Sequence, residues 1–223
     1  LICLDADDTL WHNMRFFDAA EEAYVAMLAP FAEVGVARET LAAVETRNLA
    51  LYGYGAKSFT LSTIEAAVEL VGDALPVATI RQLLAAGRDL LAHPVELFDD
   101  IAATLDALAA RGRLVLVTKG DLLHQESKLA ASGLGDRFAG VEIVSDKTTA
   151  TFDALFARFG VAAARCVMAG DSMRSDVLPA LAAGDGGGHS PWVKFSWEIA
   201  NLILLLGVII YFARTPVADF FAR

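Results

Sequence analysis

Four short apolar runs punctuate the chain, and each ends at a small or polar residue. Leu1-Ile2-Cys3-Leu4 runs into Asp5, Leu114-Val115-Leu116-Val117 into Thr118, Val141-Glu142-Ile143-Val144 into Ser145, and Cys166-Val167-Met168-Ala169 into Gly170. A brief, nearly continuous apolar run is the pattern of a parallel strand buried on both faces. Around these runs apolar residues recur every three or four positions, which predicts helices over 99–110, 122–132, 149–159 and 173–183. Strand alternating with helix predicts an α/β fold with a doubly wound parallel sheet, in which ligands sit beyond the carboxyl ends of the strands.

Residues 13–93 break the alternation, because only helical periodicity occurs there, over 15–28, 39–51, 62–71 and 79–91. The expected organisation is a core of residues 1–12 and 94–184 with an all-helical insertion, 13–93. Leaving directly after the first strand, the insertion is expected to cap that strand's carboxyl end and close the site from water. Its one unusual connection is Tyr52-Gly53-Tyr54-Gly55-Ala56-Lys57-Ser58-Phe59-Thr60. That stretch reads either as a Gly helix stop with aromatic packing and Thr60 or Ser62 as the next N-cap, or as a substrate-contacting loop over the site.

Composition narrows the function classes. With 56% hydrophobic and 21% charged residues the chain is a folded, globular one. Eighteen Lys and Arg against 28 Asp and Glu give a net charge of −10, which excludes a long phosphate-tracking basic surface and hence a nucleic-acid partner. Cys3 and Cys166 lie in separate apolar runs, so they read as buried thiols in a reducing compartment rather than as a disulfide framework. The opening apolar run reaches Asp5 with no basic region or cleavage site ahead of it, so no signal peptide is expected and the catalytic part is placed in the cytoplasm. Since the first residue is Leu, a few upstream residues are expected to be missing.

The chemistry gathers at one sheet edge. Asp5-Ala6-Asp7-Asp8-Thr9 carries two carboxylates two residues apart, a weak signal alone because acids after a strand often form turns. The residues that close the other three runs strengthen it: Thr118 after the second run, Lys147 in Ser145-Asp146-Lys147-Thr148 after the third, and Gly170-Asp171-Ser172-Met173-Arg174-Ser175-Asp176 after the fourth. Phosphoryl transfer needs a nucleophile presented to a dianion, charge neutralised on the phosphate oxygens, and a proton for the departing alcohol. Asp5 and Asp171 offer the hard oxygens that Mg²⁺ prefers, and Lys147 supplies a fixed positive charge. Among the neighbours, Asp8 reads as a turn cap, Trp11 and His12 as hinge lining, and Asp121 as the N-cap of the helix after Thr118. Lys128 rivals Lys147 for the lysine role, but its mid-helix position reads as a solvated face.

In their order, these motifs resemble a phosphatase of the haloacid dehalogenase superfamily with a helical cap inserted after the first motif, over residues 1–184. The resemblance implies a Rossmann-like core and a Mg²⁺-dependent phosphomonoester hydrolase acting on a small organic phosphate. Asp5 then corresponds to the nucleophile that forms an aspartyl-phosphate, and Asp7 to the general acid/base, which also lends its backbone carbonyl to the metal. Thr118 corresponds to the phosphate-binding hydroxyl, Lys147 to the charge-neutralising lysine, Asp171 to a metal ligand and Asp176 to a second ligand or supporting acid, with Thr9 bracing the first turn. Asp8, Lys119 and the insertion's Lys57 join Thr118 and Lys147 in the substrate- and phosphate-binding set. The dehalogenases that name the superfamily lack a carboxylate at Asp7's position, so a phosphatase is favoured. Phosphosugar mutase and, through Lys57, phosphonatase chemistry remain alternatives.

After Gly184 the pattern changes to Asp185-Gly186-Gly187-Gly188 and then a strongly apolar segment. Residues 192–213 are enough to cross a hydrocarbon core of about 30 Å at ~1.5 Å per residue, with Trp192 and Trp197 in front and Tyr211 with Arg214 behind as interfacial anchors. The run from Trp197-Glu198-Ile199-Ala200-Asn201-Leu202 through Tyr211-Phe212-Ala213-Arg214 resembles the membrane helix of an ATP synthase b-type stator subunit. Residues 185–223 are therefore expected to be an apolar helix fused to the catalytic part, with membrane or stator contact, and a catalytically silent tethered interaction protein is the alternative from another class.

Overall fold

The computed structural model describes residues 1–184. Strands β1 (Ile2–Leu4), β2 (Leu114–Lys119), β3 (Gly140–Val144) and β4 (Val167–Ala169) pair in parallel in the order β3-β2-β1-β4. Between β1 and β2 lie α1 (Met14–Leu28), α2 (Val34–Tyr52), α3 (Ala56–Val71), α4 (Val77–Leu91) and α5 (Ile101–Ala109). Helix α6 (Leu122–Ser132) joins β2 to β3, α7 (Thr149–Phe159) joins β3 to β4, and α8 (Leu178–Ala182) follows β4. Strand order runs outward from β1 in both directions, so the β1/β4 boundary is the switch point at which a crevice opens beyond the strand ends.

Alternation along the strands loads both faces of the sheet. Leu114 and Leu116 pack with Leu4, Leu105 and Leu134 on one side, while Val115 and Val117 pack with Cys3, Phe152 and Phe156 on the other. Burial pushes the Cys3 thiol up to about 12, which leaves it protonated and inert. Cys166, expected to be buried as well, sits just ahead of β4 and is only partly covered, because that strand lies at the sheet edge among the described residues.

Helices α1 to α4 share a core of their own, built on Tyr24, Leu28, Leu41, Val44, Phe59 and Leu83. The chain leaves and re-enters the sheet side by side: His12 N–H donates to Glu96 O (2.9 Å), Phe98 N–H donates to Leu10 O (3.1 Å), and Trp11 bridges Leu97.

The observed helices correct several expected boundaries. Helix α2 starts at Val34, five positions before the apolar period becomes visible, and α3 starts at Ala56 rather than at 62. Gly53 (φ 68°) closes α2 by donating its N–H to Leu49 O, and Gly55 (φ 116°) supplies the carbonyl that accepts from Phe59 N–H. Thr60 and Ser62 therefore lie inside α3 and cap nothing; the Thr60 hydroxyl donates back to Ala56 O (2.6 Å). The helix expected over 173–183 is a wide turn, Met173–Val177, followed by α8.

Among the described residues no helix is long and apolar enough to cross a membrane. The Gly-rich break, the apolar membrane helix and the stator resemblance all fall on residues 185–223, outside the described ones.

Candidate active site

Because all four strands are parallel, their carboxyl ends share one edge, and the register sets Leu4 beside Leu116 and Ala169. Asp5 extends β1 by one more bond, its N–H donating to Ala169 O at 2.9 Å. Its carboxylate is almost fully buried and accepts from Thr9 Oγ1 (3.2 Å) and from Lys147 Nζ. The same ammonium reaches Asp176 Oδ1 at 2.5 Å, and Asp176 Oδ2 also accepts from Ser172 N–H (3.0 Å). Gly170 is glycine for a steric reason, since a Cβ there would lie 2.3 Å from Asp176 Oδ2.

Carboxylate oxygens of Asp5, Asp171 and Asp176 lie within 4.8 Å of one another. Three carboxylates around one ammonium leave net negative charge in a half-enclosed place, which suits a hard divalent cation. Burial raises the Asp5 pKa to about 6, with Lys147 pulling the other way; Asp171 is also raised, chiefly by burial and then by Asp176. Thr118 is buried at the end of β2, at the same edge.

Asp7 stands apart from this trio. Its Oδ1 accepts from Trp11 Nε1 (2.7 Å) and Lys128 Nζ (2.6 Å), and its Oδ2 from Gln125 Nε2 (2.8 Å) and Lys128 Nζ (2.7 Å). Lys128 is therefore not on a solvated face: only 4% of it is exposed, and its ammonium also donates to Asn13 Oδ1 (3.1 Å). Helix α6 inverts its expected orientation, burying His124, Gln125 and Lys128 while leaving Leu122 and Leu123 largely exposed. Trp11, Asn13, Gln125 and Lys128 are the site residues that sequence reasoning missed or misplaced. For Gln125 and Lys128 the one available signal is that, with His124, they form a single helical face in the helix after Thr118; Trp11 and Asn13 carry none.

Three members of the expected phosphate-binding set have protein partners of their own. Asp8, held at φ 56°, accepts from Asn13 N–H and Met14 N–H (both 2.9 Å), so its carboxylate caps α1. Lys57 Nζ binds both oxygens of Asp121 at 2.9 Å, and Asp121 in turn N-caps α6 through His124 N–H (3.0 Å). Lys119 Nζ donates to Ser175 Oγ (2.9 Å) and lies 3.9 Å from the centre of the Tyr54 ring. The stretch around Tyr54 thus comes down onto the segment after β2, at the same sheet edge as Thr118.

His124 carries a testable cost. Its Nε2 is buried without a protein partner, and burial, followed by Lys128 and His93, lowers its pKa to about 4. Between roughly pH 6.5 and 4 the unfolded chain binds a proton that the folded chain refuses, so this contribution to stability is present above 6.5 and lost as pH falls. His124→Gln is expected to flatten the pH dependence, with wild type losing on the order of 2–3 kcal/mol more than the variant between pH 7 and 4. Urea unfolding of both proteins at those two pH values measures it, and parallel losses would refute it. The opposing contribution of Asp5 is common to both proteins and cancels.

The family model for haloacid dehalogenase-like hydrolase matches residues 1–184. Among solved structures, a haloacid dehalogenase-like family hydrolase from Xanthomonas campestris is 41% identical, over 82% of this chain and 78% of that one, with a TM-score of 0.76. A predicted phosphoglycolate phosphatase from Haemophilus somnus is 21% identical over 82% of this chain and 81% of its own, with a TM-score of 0.54. A putative hydrolase of the same kind from Bacillus subtilis, solved bound to magnesium, is 18% identical over 85% and 89%, with a TM-score of 0.55. The last two show likeness of fold alone. No curated protein matches.

Proposed function

The chain belongs to the haloacid dehalogenase-like hydrolases, and within that family we propose that it is a Mg²⁺-dependent phosphomonoesterase acting on a small organic phosphate. The observation that carries this reading is the partition of two carboxylates on one turn: Asp5 goes with Lys147 and the acidic trio, Asp7 with a separate set of donors. A departing halide needs no proton, so a second carboxylate would be idle in a dehalogenase. A departing alkoxide does need one.

In this reading an Asp5 oxygen attacks phosphorus, the bond from phosphorus to the substrate oxygen breaks, and protonated Asp7 hands its proton to that oxygen. Asp7, now a carboxylate, takes a proton from water, whose oxygen attacks the same phosphorus and breaks its bond to Asp5. Lys147 keeps Asp5 ionised and oriented, and Thr118 offers a hydroxyl to the phosphoryl oxygens. Bound by Asp5, Asp171, Asp176 and the Asp7 carbonyl, Mg²⁺ would screen the carboxylate from the phosphate dianion. The helices of 13–93 serve as the cap that excludes water. Phosphonatase chemistry is less well supported, because Lys57, the single lysine of the insertion, has its ammonium held by Asp121.

The test is phosphate release from 4-nitrophenyl phosphate and from a panel of alkyl phosphates, with Mg²⁺ and after EDTA. Metal-dependent release is expected, and Asp7→Asn should slow turnover of alkyl phosphates by about 10²–10⁴-fold while still acquiring phosphate on Asp5. Absence of metal-dependent release from every substrate would overturn the reading.

A further inference from the structure

We infer that Lys128 is a dedicated positioning residue for Asp7, holding the acid/base carboxylate in a resting orientation on donors separate from those of Asp5; this rests on the phosphomonoesterase reading. The ammonium has three donors and all are spent inside the protein, two on the Asp7 oxygens at 2.6 and 2.7 Å and one on Asn13 Oδ1 at 3.1 Å. Nothing is left over for a phosphate, which separates Lys128 from Lys147.

The cage is also complete from the other side. With Trp11 Nε1 and Gln125 Nε2 added, the Asp7 carboxylate accepts four hydrogen bonds, and Asp5 shares none of those donors. Gln125 is fixed in turn, since its Nε2 also donates to Lys119 O at 2.9 Å. The groups come from three places: the donor Trp11 from the outgoing crossing, the acceptor Asn13 from the residue just before α1, and the donors Gln125 and Lys128 from α6. An ion pair whose lysine is buried contributes little stability that an apolar pair of similar volume would not, so its presence beside one of two candidate reacting carboxylates, itself partly exposed, points to orientation of that carboxylate. To meet the leaving oxygen, Asp7 must exchange these partners for the substrate. Lys128 sets where the carboxylate starts from and how many orientations it has.

The test is a double-mutant cycle with two substrates. Lys128→Met should slow turnover of an alkyl phosphate by about 10²-fold, the lower end of an acid/base contribution. It should slow formation of the phosphoenzyme from 4-nitrophenyl phosphate much less, because that leaving group departs with little help from an acid. In an Asp7→Asn background, Lys128→Met should cost nothing further. Equal losses on both substrates, or additive losses in the double variant, would overturn the inference. If Lys128→Met does not fold, Lys128→Gln keeps one donor on the carboxylate and is read in the same way. A readout independent of activity is the ¹⁵N-indole signal of Trp11, identified among the three tryptophans by its loss in Trp11→Phe. It should shift in Lys128→Met, and an unmoved signal counts against Lys128 as the anchor. Wild type that releases phosphate from neither substrate overturns the phosphomonoesterase reading alone; the indole signal then still decides whether Lys128 holds Asp7.

Discussion

Asp5→Asn is expected to abolish turnover, by at least about 10³-fold in kcat, because the amide cannot form the aspartyl-phosphate that both half-reactions share. Folding should survive. The amide oxygen still accepts from Lys147, its NH2 faces Thr9 Oγ1, which accepts from it, and the substitution removes a carboxylate whose burial already raises its pKa to about 6. A group with a raised folded-state pKa contributes stability below its unfolded value and loses it as pH climbs through the folded one. The Asn variant should therefore match wild type near pH 4 and equal or exceed it in stability above pH 6. Thermal melts across that range, with a phosphate-release assay, test both halves. Residual metal-dependent turnover within tenfold of wild type would remove Asp5 from the nucleophile role.

Lys147→Met is expected to damage both activity and fold. The ammonium is the shared partner of Asp5 and Asp176, and both acids are almost fully buried. Taking away one member of a buried ionic cluster costs about 3–5 kcal/mol, most of it from the charges left behind. Without Lys147 the Asp5 carboxyl, already raised to about 6 by burial, rises further in pKa, so the loss should be greatest at neutral pH and shrink as the solution falls below pH 6. Millimolar Mg²⁺ should restore part of the stability at pH 7 by binding the folded trio, and it should not restore turnover. Denaturant titrations at pH 5 and 7, with and without the metal, separate these effects. A loss that is independent of both pH and Mg²⁺ would show that Lys147 acts through packing alone.

Local chemistry explains what was legible in the sequence. Helices α6 and α7 have the boundaries read from the pattern because their punctuation is intrinsic: Asp121 and the reciprocal Thr148–Thr151 box begin them, and Gly133 and Gly160 in left-handed geometry end them. The central strands β1 and β2 were legible because a parallel strand buried on both faces is apolar almost throughout; β3 and β4 share the apolar pattern although they are only partly covered among the described residues. Asp5, Thr118, Lys147, Asp171 and Asp176 could be placed at one edge because each lies at the end of a strand or in the loop after one.

What stayed hidden depends on contacts distant in sequence. Lys128 stands in a helix with polar neighbours and two leucines at its start, and the usual inference sends the leucines inward. The acceptors that reverse this orientation, on Asp7 and Asn13, lie more than 100 positions away along the chain, where periodicity carries no information about them. The start of α3 was obscured for a local reason. Glycines and aromatics around Tyr54 look like loop, yet only Gly53 and Gly55 have the backbone angles that interrupt a helix.

The placement of β1 has a consequence for how the molecule is made. This three-residue strand leads the sequence, yet both of its neighbours come late: Ile2 pairs with Leu114 on one side and with Val167 on the other. During synthesis it must wait, unpaired, until β2, more than 100 positions further on, has appeared. Closing so long a loop is entropically unfavourable, whereas contacts among α1 to α4 are short-range and need nothing from the sheet. The helices are thus placed to fold first, and pairing of the Leu10–Trp11–His12 stretch with Glu96, Leu97 and Phe98 then brings β1 close to α5 and the approach to β2. In that order of events the insertion shortens the search for the central strand, and a lesion in its core should slow assembly of a sheet it does not belong to.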